Sequence, residues 1–164
     1  MALVYLGLGS NIEPERNLTL GLQRLRRDFI VLAESPWYAS PALGFDGPDF
    51  INLVIAVQVD CDVESLYQQL KVLETEFGRP AQAEKYSSRA LDIDILLFDQ
   101  RVGEWPGMVL PRPDIWQCAF VLKPLLDIAP DAICPLRKQP LIEDWPALSH
   151  QPLSLCLPMV APVL

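Results

Sequence analysis

Residues 89–98 read Arg-Ala-Leu-Asp-Ile-Asp-Ile-Leu-Leu-Phe, a run of strand-forming apolar residues interrupted by two aspartates one residue apart. Successive side chains on a strand point to opposite faces, so Asp92 and Asp94 project to the same side. Two carboxylates held a few ångström apart repel each other, and a bound cation lets both stay ionised. Oxygen ligands suit Mg2+, and Arg89 is the residue type that binds phosphate with a planar fork. The pattern predicts a metal–phosphate site on a strand.

A simpler interpretation makes the two aspartates the exposed face of a half-buried strand, with Arg89 as their counterion. A bare Asp-x-Asp pattern would favour that interpretation. Here Ile93, Ile95 and the apolar residues 96–97 bury the strand heavily. Burial makes an unpaired acidic pair costly, so the metal site is the favoured interpretation.

The composition is that of an acidic globular protein. The chain has 164 residues, a formal net charge of −8 at pH 7 and a pI near 4.5. We expect one domain over residues 1–164, with residues 135–164 forming a proline-rich covering tail. The acidic balance argues against general affinity for nucleic acid or anionic membranes, and no apolar run is long enough to span a bilayer.

The cysteines and the single histidine exclude several kinds of site. Cys61, Cys118, Cys134 and Cys156 are scattered without a C-x-x-C pair, which predicts buried or incidental thiols. The chain starts without the basic segment of a secretory signal, so we expect a cytoplasmic location. His150 lies in the proline-rich tail, which leaves histidine-dependent triads and histidine metal sites almost without support.

Apolar periodicity divides the chain into alternating strands and helices. Strands are predicted at 2–8, 30–39, 50–59 and 92–98, and helices at 14–27, 62–77 and 115–128, the last bent at Pro124. Residues 79–88 and 110–113 are predicted loops. The order strand, helix, strand, strand, helix, strand indicates a split β-α-β core. We therefore expect an α+β fold with a mostly antiparallel sheet and helices packed on it.

Four segments, in order, resemble the 6-hydroxymethyl-7,8-dihydropterin pyrophosphokinase family, whose members transfer pyrophosphate from ATP to a pterin alcohol in folate biosynthesis. The segments are Leu8-Gly9-Ser10-Asn11, Ser40 to Gly44 with Phe50-Ile51-Asn52, Arg89 to Ile95, and Phe120 to Leu125 running into Ile128-Ala129-Pro130. The resemblance covers about residues 2 to 135. It implies a three-layer α/β/α protein, consistent with a ferredoxin-like split β-α-β core.

The resemblance implies a role for each of several residues. Asp92 and Asp94 would hold two Mg2+ ions that bridge the phosphates of ATP. Arg79 and Arg89 would contact those phosphates and form, with the aspartates, the catalytic set. Glu74 and Arg112 would complete the nucleotide site.

On the substrate side, Phe50 and Phe120 would sandwich the flat pterin ring, since offset stacking is what two aromatic faces offer a heterocycle. Asn52 can donate and accept hydrogen bonds, as the amide-like edge of a pterin requires. Backbone groups of Ser40 and Leu43 would complete that edge. We expect a monomer that binds the pterin and ATP, but neither nucleic acid nor a membrane.

The chain departs from the family pattern on the phosphate side. Ser87-Ser88 replaces a Gly-Pro pair, and Ala81 and Gln82 stand where basic residues are frequent. Arg112 replaces a histidine, and Cys118 replaces an arginine. Two alternatives therefore stay open: a diverged paralogue that binds a pterin with little or altered kinase activity, and a ferredoxin-like interaction module.

Overall fold

The computed structural model describes residues 1–78 and 88–156. The strands are β1 (Ala2–Ser10), β2 (Ile30–Glu34), β3 (Trp37–Ser40), β4 (Phe50–Val59), β5 (Asp92–Phe98), β6 (Gly103–Trp105), β7 (Met108–Leu110) and β8 (Ser154–Cys156). The α-helices are α1 (Pro14–Asp28), α2 (Val63–Glu76), α3 (Ala119–Ile128) and α4 (Trp145–Leu148). Short 3-10 turns cover Pro113–Trp116 and Leu141–Asp144.

The main sheet has the strand order β5-β1-β4-β3-β8, and β2 also pairs with β4. Every pairing among the described strands is antiparallel. Because β1 and β3 both run antiparallel to β4, which lies between them, they run parallel to each other, as in a split β-α-β unit. The prediction of an α+β fold with a mostly antiparallel sheet is confirmed.

Helices α1 and α2 begin and pack as their sequences predict. Pro14 opens α1, where the missing N–H costs nothing, and Asp62 caps α2 by accepting a hydrogen bond from the backbone N–H of Ser65 at 2.8 Å. Both helices bury one row of leucines in a single cluster against the sheet: Leu18, Leu22, Leu25, Leu66, Leu70 and Leu73.

The opposite face of the sheet is covered by α3. On β4, Leu53 and Ile55 belong to the cluster with α1 and α2, whereas Val54 belongs to a second cluster that contains Leu122 and Leu125 of α3. The alternation along one strand explains why β4 is apolar throughout: both of its faces are buried. None of the helices within the described ranges is long and apolar enough to cross a membrane.

Two local predictions are wrong. The strand predicted at 30–39 is two strands, because Ser35 before Pro36 breaks the ladder and bonds Val54 with both its backbone N–H and its hydroxyl oxygen, each at 2.9 Å. The helix predicted at 115–128 is a 3-10 turn followed by α3, since Cys118 has an extended backbone (φ −128, ψ 120). In addition, β6 and β7 form a hairpin for which the sequence analysis made no prediction.

Candidate active site

One row of paired residues crosses three strands. Asp92 of β5 lies opposite Gly9 of β1, and Gly9 lies opposite Asn52 of β4. Directly opposed residues in a sheet share a face, so the side chains of Asp92 and Asn52 lie on either side of Gly9, which has no side chain. Asp94 lies opposite Gly7 in the same way. The two glycines of β1 therefore leave a trough between the acidic strand and the amide-bearing strand.

The glycine at position 9 is required by the packing of Asn52. A Cβ at Gly9 would lie 2.6 Å from Asn52 Nδ2, a contact that side chains essentially never make. A Cβ at Gly7 would lie 3.4 Å from Leu96, which is ordinary van der Waals contact. Asn52 can lie across β1, where its Nδ2 donates to the Leu8 carbonyl at 3.5 Å, because Gly9 lacks a side chain.

The trough opens into a cavity of about 310 Å3 between the sheet and the start of α3. Its lining includes nine residues singled out from the sequence: Ser40, Leu43, Phe50, Asn52, Asp92, Asp94, Arg112, Cys118 and Phe120. It also includes residues that the sequence analysis missed, among them Phe45, Asp114 and Gln117. A volume of this size is typical of a small-molecule site.

One end of the cavity is aromatic. Phe50 opens β4 and Phe120 lies in the first turn of α3, so the two rings come from opposite layers of the fold. Phe45 packs edge-on against Phe50, with ring centroids 6.4 Å apart and planes at 90°. The buried Oδ1 atom of Asn52 has no hydrogen-bond partner among the described residues. A buried acceptor without a donor points to a ligand that supplies one.

Helix α3 is fastened to the sheet two turns beyond Phe120. The Tyr38 hydroxyl of β3 donates to Asp127 of α3, and the Lys123 ammonium also bonds that carboxylate. Burial and the neighbouring Asp127 raise the pKa of Tyr38 above its usual range, so the phenol stays a donor at neutral pH. This contact ties the helix that carries Phe120 to β3.

The other end of the cavity is charged. The side chains of Asp92 and Asp94 are 31% and 36% exposed, so both carboxylates still reach the cavity. Arg89 Nε lies 3.7 Å from Asp92 Oδ1, and Arg112 Nη2 lies 3.7 Å from Asp94 Oδ2. Burial raises the pKa of Asp94, although the positive charge of Arg112 opposes this. A carboxylate whose charge is poorly solvated gains from a bound cation.

The aspartate strand is held at its start by Asn11. The Arg89 backbone N–H donates to Asn11 Oδ1 at 2.8 Å, and the Asn11 backbone N–H donates to the Arg89 carbonyl at 3.0 Å. The Arg89 side chain is buried. Asn11, the last residue of the motif at 8–11, therefore holds the backbone of Arg89 in place, three residues before Asp92.

Glu74 lies outside the cavity lining, at the edge of β5. Its buried carboxylate accepts hydrogen bonds from the Ile93 backbone N–H at 2.9 Å and from Lys71 Nζ at 2.8 Å. Ile93 stands between the two aspartates, so Glu74 holds the backbone that carries them. The sequence analysis did not single out Lys71. Its positive charge lowers the pKa of Asp94 and so opposes the effect of burial.

Four of the positions singled out on the phosphate side, Arg79, Ala81, Gln82 and Ser87, lie outside the described residues. Cys118, by contrast, is described and lines the cavity. Burial, followed by the nearby charge of Asp114, raises the pKa of the Cys118 thiol to about 11. The thiol is therefore protonated at neutral pH and is a poor nucleophile.

The donor set around the acidic pair fits Mg2+. Within the described ranges, no group of three or more histidine, cysteine or acidic side chains is placed to hold a metal ion. Mg2+ is usually held by one or two carboxylates and completes its shell with water and substrate phosphates. Asp92 and Asp94 supply that minimal set from one face of a strand.

Comparison with known proteins gives a consistent result. The family model described as "7,8-dihydro-6-hydroxymethylpterin-pyrophosphokinase (HPPK)" matches residues 5–130. A 2-amino-4-hydroxy-6-hydroxymethyldihydropteridine pyrophosphokinase from Aquifex aeolicus is 33% identical over 154 residues, covering 93% of this chain and 96% of the relative. A protein of the same name from Pseudomonas aeruginosa is 37% identical over 136 residues, covering 80% and 83% of the two chains.

Proposed function

The chain belongs to the 7,8-dihydro-6-hydroxymethylpterin-pyrophosphokinase family, and we propose that it transfers pyrophosphate from ATP to 6-hydroxymethyl-7,8-dihydropterin. The observation that carries the proposal is the single cavity that has two phenylalanines and an unsatisfied amide oxygen at one end and two aspartates at the other. A flat heterocycle with hydrogen-bonding edges fits the first end, and a metal–phosphate group fits the second.

The aromatic end would bind the pterin. Phe50 and Phe120 would stack on the two faces of the ring, and the buried Oδ1 of Asn52 would accept a hydrogen bond from the amino or ring N–H groups of its edge. Backbone groups of Ser40 and Leu43 would complete that edge. The edge-on contact of Phe45 with Phe50 supports this arrangement, because it fixes the plane of one stacking ring.

The charged end would bind the phosphates of ATP. Asp92 and Asp94 would hold two Mg2+ ions, which neutralise phosphate charge and orient the transferred group when bound. Arg79, Arg89 and Arg112 would contact phosphate oxygens. Glu74 would act from outside the cavity, since its bond to the Ile93 N–H supports a role in holding the acidic strand.

In this account the pterin hydroxymethyl oxygen attacks the β-phosphorus of ATP. The bond from the β-phosphorus to the oxygen that bridges the α- and β-phosphates breaks, AMP leaves with that oxygen, and the hydroxyl proton is released. Such transfer depends on positioning and charge stabilisation more than on covalent chemistry by the protein. The protonated state of Cys118 agrees with this, because no nucleophilic side chain is required.

The proposal also covers the oligomeric state, the cellular location and the domain organisation of the protein. We infer a monomeric cytoplasmic enzyme in which residues 1–164 form one domain and residues 135–164 cover one side of the sheet. Within residues 135–156, the pairing of β8 with β3 and the burial of Leu141 and Leu148 in the cluster with α3 support this role; residues 157–164 lie outside the described residues. The names of the relatives agree with a kinase, and no described feature favours the diverged pterin-binding alternative.

The test is AMP release on mixing the protein with ATP, Mg2+ and 6-hydroxymethyl-7,8-dihydropterin. We expect AMP only when all three are present, with omission of the pterin and addition of a chelator as controls. AMP formed without pterin, or no AMP from folded protein, would contradict the proposal.

A further inference from the structure

We propose that Arg112 is an internal counterion of Asp94, and that it makes metal binding at the acidic pair depend on the presence of nucleotide. The inference rests on the proposed function and adds to it a second role for Arg112, as the group that occupies Asp94 when no nucleotide is bound. It arises from the way the described residues neutralise one another in the absence of ligand.

The position of Arg112 is set by its backbone. The Arg112 N–H donates to the Leu96 carbonyl of β5 at 3.0 Å, which places the residue beside the strand that carries the aspartates. From there the guanidinium reaches two acids at once. Its Nη2 lies 3.7 Å from Asp94 Oδ2, and its Nε lies 3.2 Å from Asp114 Oδ2.

A divalent cation and the guanidinium compete for the same carboxylate. A metal bound to Asp94 would lie within a few ångström of the guanidinium, and two cations at such a distance repel strongly in a half-buried site. The Arg112 side chain is only 31% exposed, so solvent screens this repulsion less than it would at the surface. A metal arriving alone must therefore displace Arg112 from Asp94.

A triphosphate removes this conflict. Its negative oxygens offer the guanidinium a new partner with the planar geometry that arginine prefers, which frees Asp94 for the metal. The contact with Asp114 keeps Arg112 at the cavity during the exchange. Arg112 thus weakens metal binding without nucleotide and contributes to binding when nucleotide is present. The two effects together are a coupling between the two ligands.

Direct measurement of Mn2+ binding to the full chain tests this coupling. Mn2+ serves as the probe, titrated by the electron paramagnetic resonance signal of free Mn2+, with and without a non-hydrolysable ATP analogue. The variant is Arg112→Gln. The matched control is Arg137→Gln, which removes the same charge from an ion pair with Asp144 in the tail. The titration needs no turnover, so it does not depend on the pterin assay.

The expected result is that Arg112→Gln binds Mn2+ alone about fivefold more tightly than the wild type, as expected for loss of a partly buried charge contact. We also expect the gain in Mn2+ affinity caused by the analogue to shrink by at least a similar factor, whereas Arg137→Gln behaves as wild type. Unchanged or weaker Mn2+ binding by Arg112→Gln, or binding by neither protein, would overturn the inference. Failure of the proposed function would appear instead as absence of pterin-dependent AMP release.

Discussion

The aromatic end and the charged end of the cavity are built in different ways. At the aromatic end, Phe50 and Asn52 stand on the central strand β4, and Phe120 stands on a helix fastened to the sheet through Tyr38. At the charged end, Asp94 stands on the edge strand β5 and is neutralised by Arg112, which reaches it from another segment. The first end is held by packing and by the bond between α3 and the sheet, whereas the second is held by internal ion pairs that a ligand must replace.

This difference indicates where the two kinds of binding energy come from. Stacking and amide recognition need rigid surfaces, and a sheet row with a fixed register provides them. Phosphate and metal binding need charges that become available when the ligand arrives, since unpaired charges are costly to keep half-buried. Substitutions at the two ends should therefore have separable effects on pterin binding and on phosphate transfer.

The largest effect is expected at the charged end, from Asp94→Asn. Loss of one of two metal-binding carboxylates should lower the rate of AMP release about a thousandfold, because charge stabilisation in the transition state is lost. Pterin affinity, followed by dihydropterin fluorescence in the absence of nucleotide, should stay within about twofold of the wild type.

The stability of Asp94→Asn separates this effect from unfolding. Because burial raises the pKa of Asp94, the folded metal-free protein binds that proton more tightly than the unfolded chain does. Ionisation of Asp94 therefore destabilises the fold as the pH rises above the usual pKa of an aspartate. The neutral amide of the Asp94→Asn variant avoids this cost. The thermal midpoint of metal-free Asp94→Asn near pH 7 should not fall below that of the wild type; a clear fall would mean that lost folding explains the lost activity.

The next effect is expected at the aromatic end, from Gly9→Ala. The added Cβ would lie 2.6 Å from Asn52 Nδ2 and should push the amide out of its position. Loss of a buried hydrogen bond to the pterin should weaken its binding about tenfold. Gly7→Ala is the matched control, since its Cβ meets Leu96 at 3.4 Å. Equal pterin affinities of the two variants would contradict the role given to Asn52.

A smaller effect is expected from the contact between α3 and the sheet. Tyr38→Phe removes the hydroxyl that bonds Asp127 while keeping the ring. Freer motion of α3 should loosen the stack at Phe120 and raise the dissociation constant of the pterin about threefold. Calorimetric titration of the pterin and of the ATP analogue should show a change for the pterin alone; equal weakening of both ligands would indicate a general loss of order.

The sequence predicted the parts of the site that depend on local pattern. Alternation along a strand places Asp92 and Asp94 on one face, and the bounds of β4, predicted at 50–59, are confirmed. Such patterns need only the chain's own period of two. The placement of Phe50, Asn52 and Phe120 in one cavity came from the family resemblance, because Phe120 is far from the other two residues in the chain.

Contacts between distant segments could not be predicted from the sequence. The packing of Asn52 over Gly9 depends on the register of β1 against β4, which no local pattern encodes. The bond from Glu74 to the Ile93 N–H depends on where α2 meets the edge strand, and the sequence did not predict it. The pairing of Arg112 with Asp94 likewise depends on the unpredicted hairpin that precedes Arg112.

The smallest effect on activity is expected from Cys118, which lies between the two ends. Because burial raises its pKa to about 11, the thiol should react slowly with iodoacetamide at neutral pH, at a rate that rises about tenfold per pH unit in the alkaline range. Cys118→Ser should keep AMP release within about twofold of the wild type. Rapid labelling at neutral pH, read by mass spectrometry of the Cys118 peptide, would contradict this description.

The central claim is that both ends of the cavity serve one reaction, attack of the pterin oxygen on the β-phosphorus of ATP. The most direct test is the 31P NMR spectrum of the protein mixed with ATP, Mg2+ and 6-hydroxymethyl-7,8-dihydropterin. We predict equal amounts of AMP and a pterin diphosphate ester, with no ADP. Formation of ADP with a pterin monophosphate, or unchanged ATP in the presence of folded protein, would contradict the account.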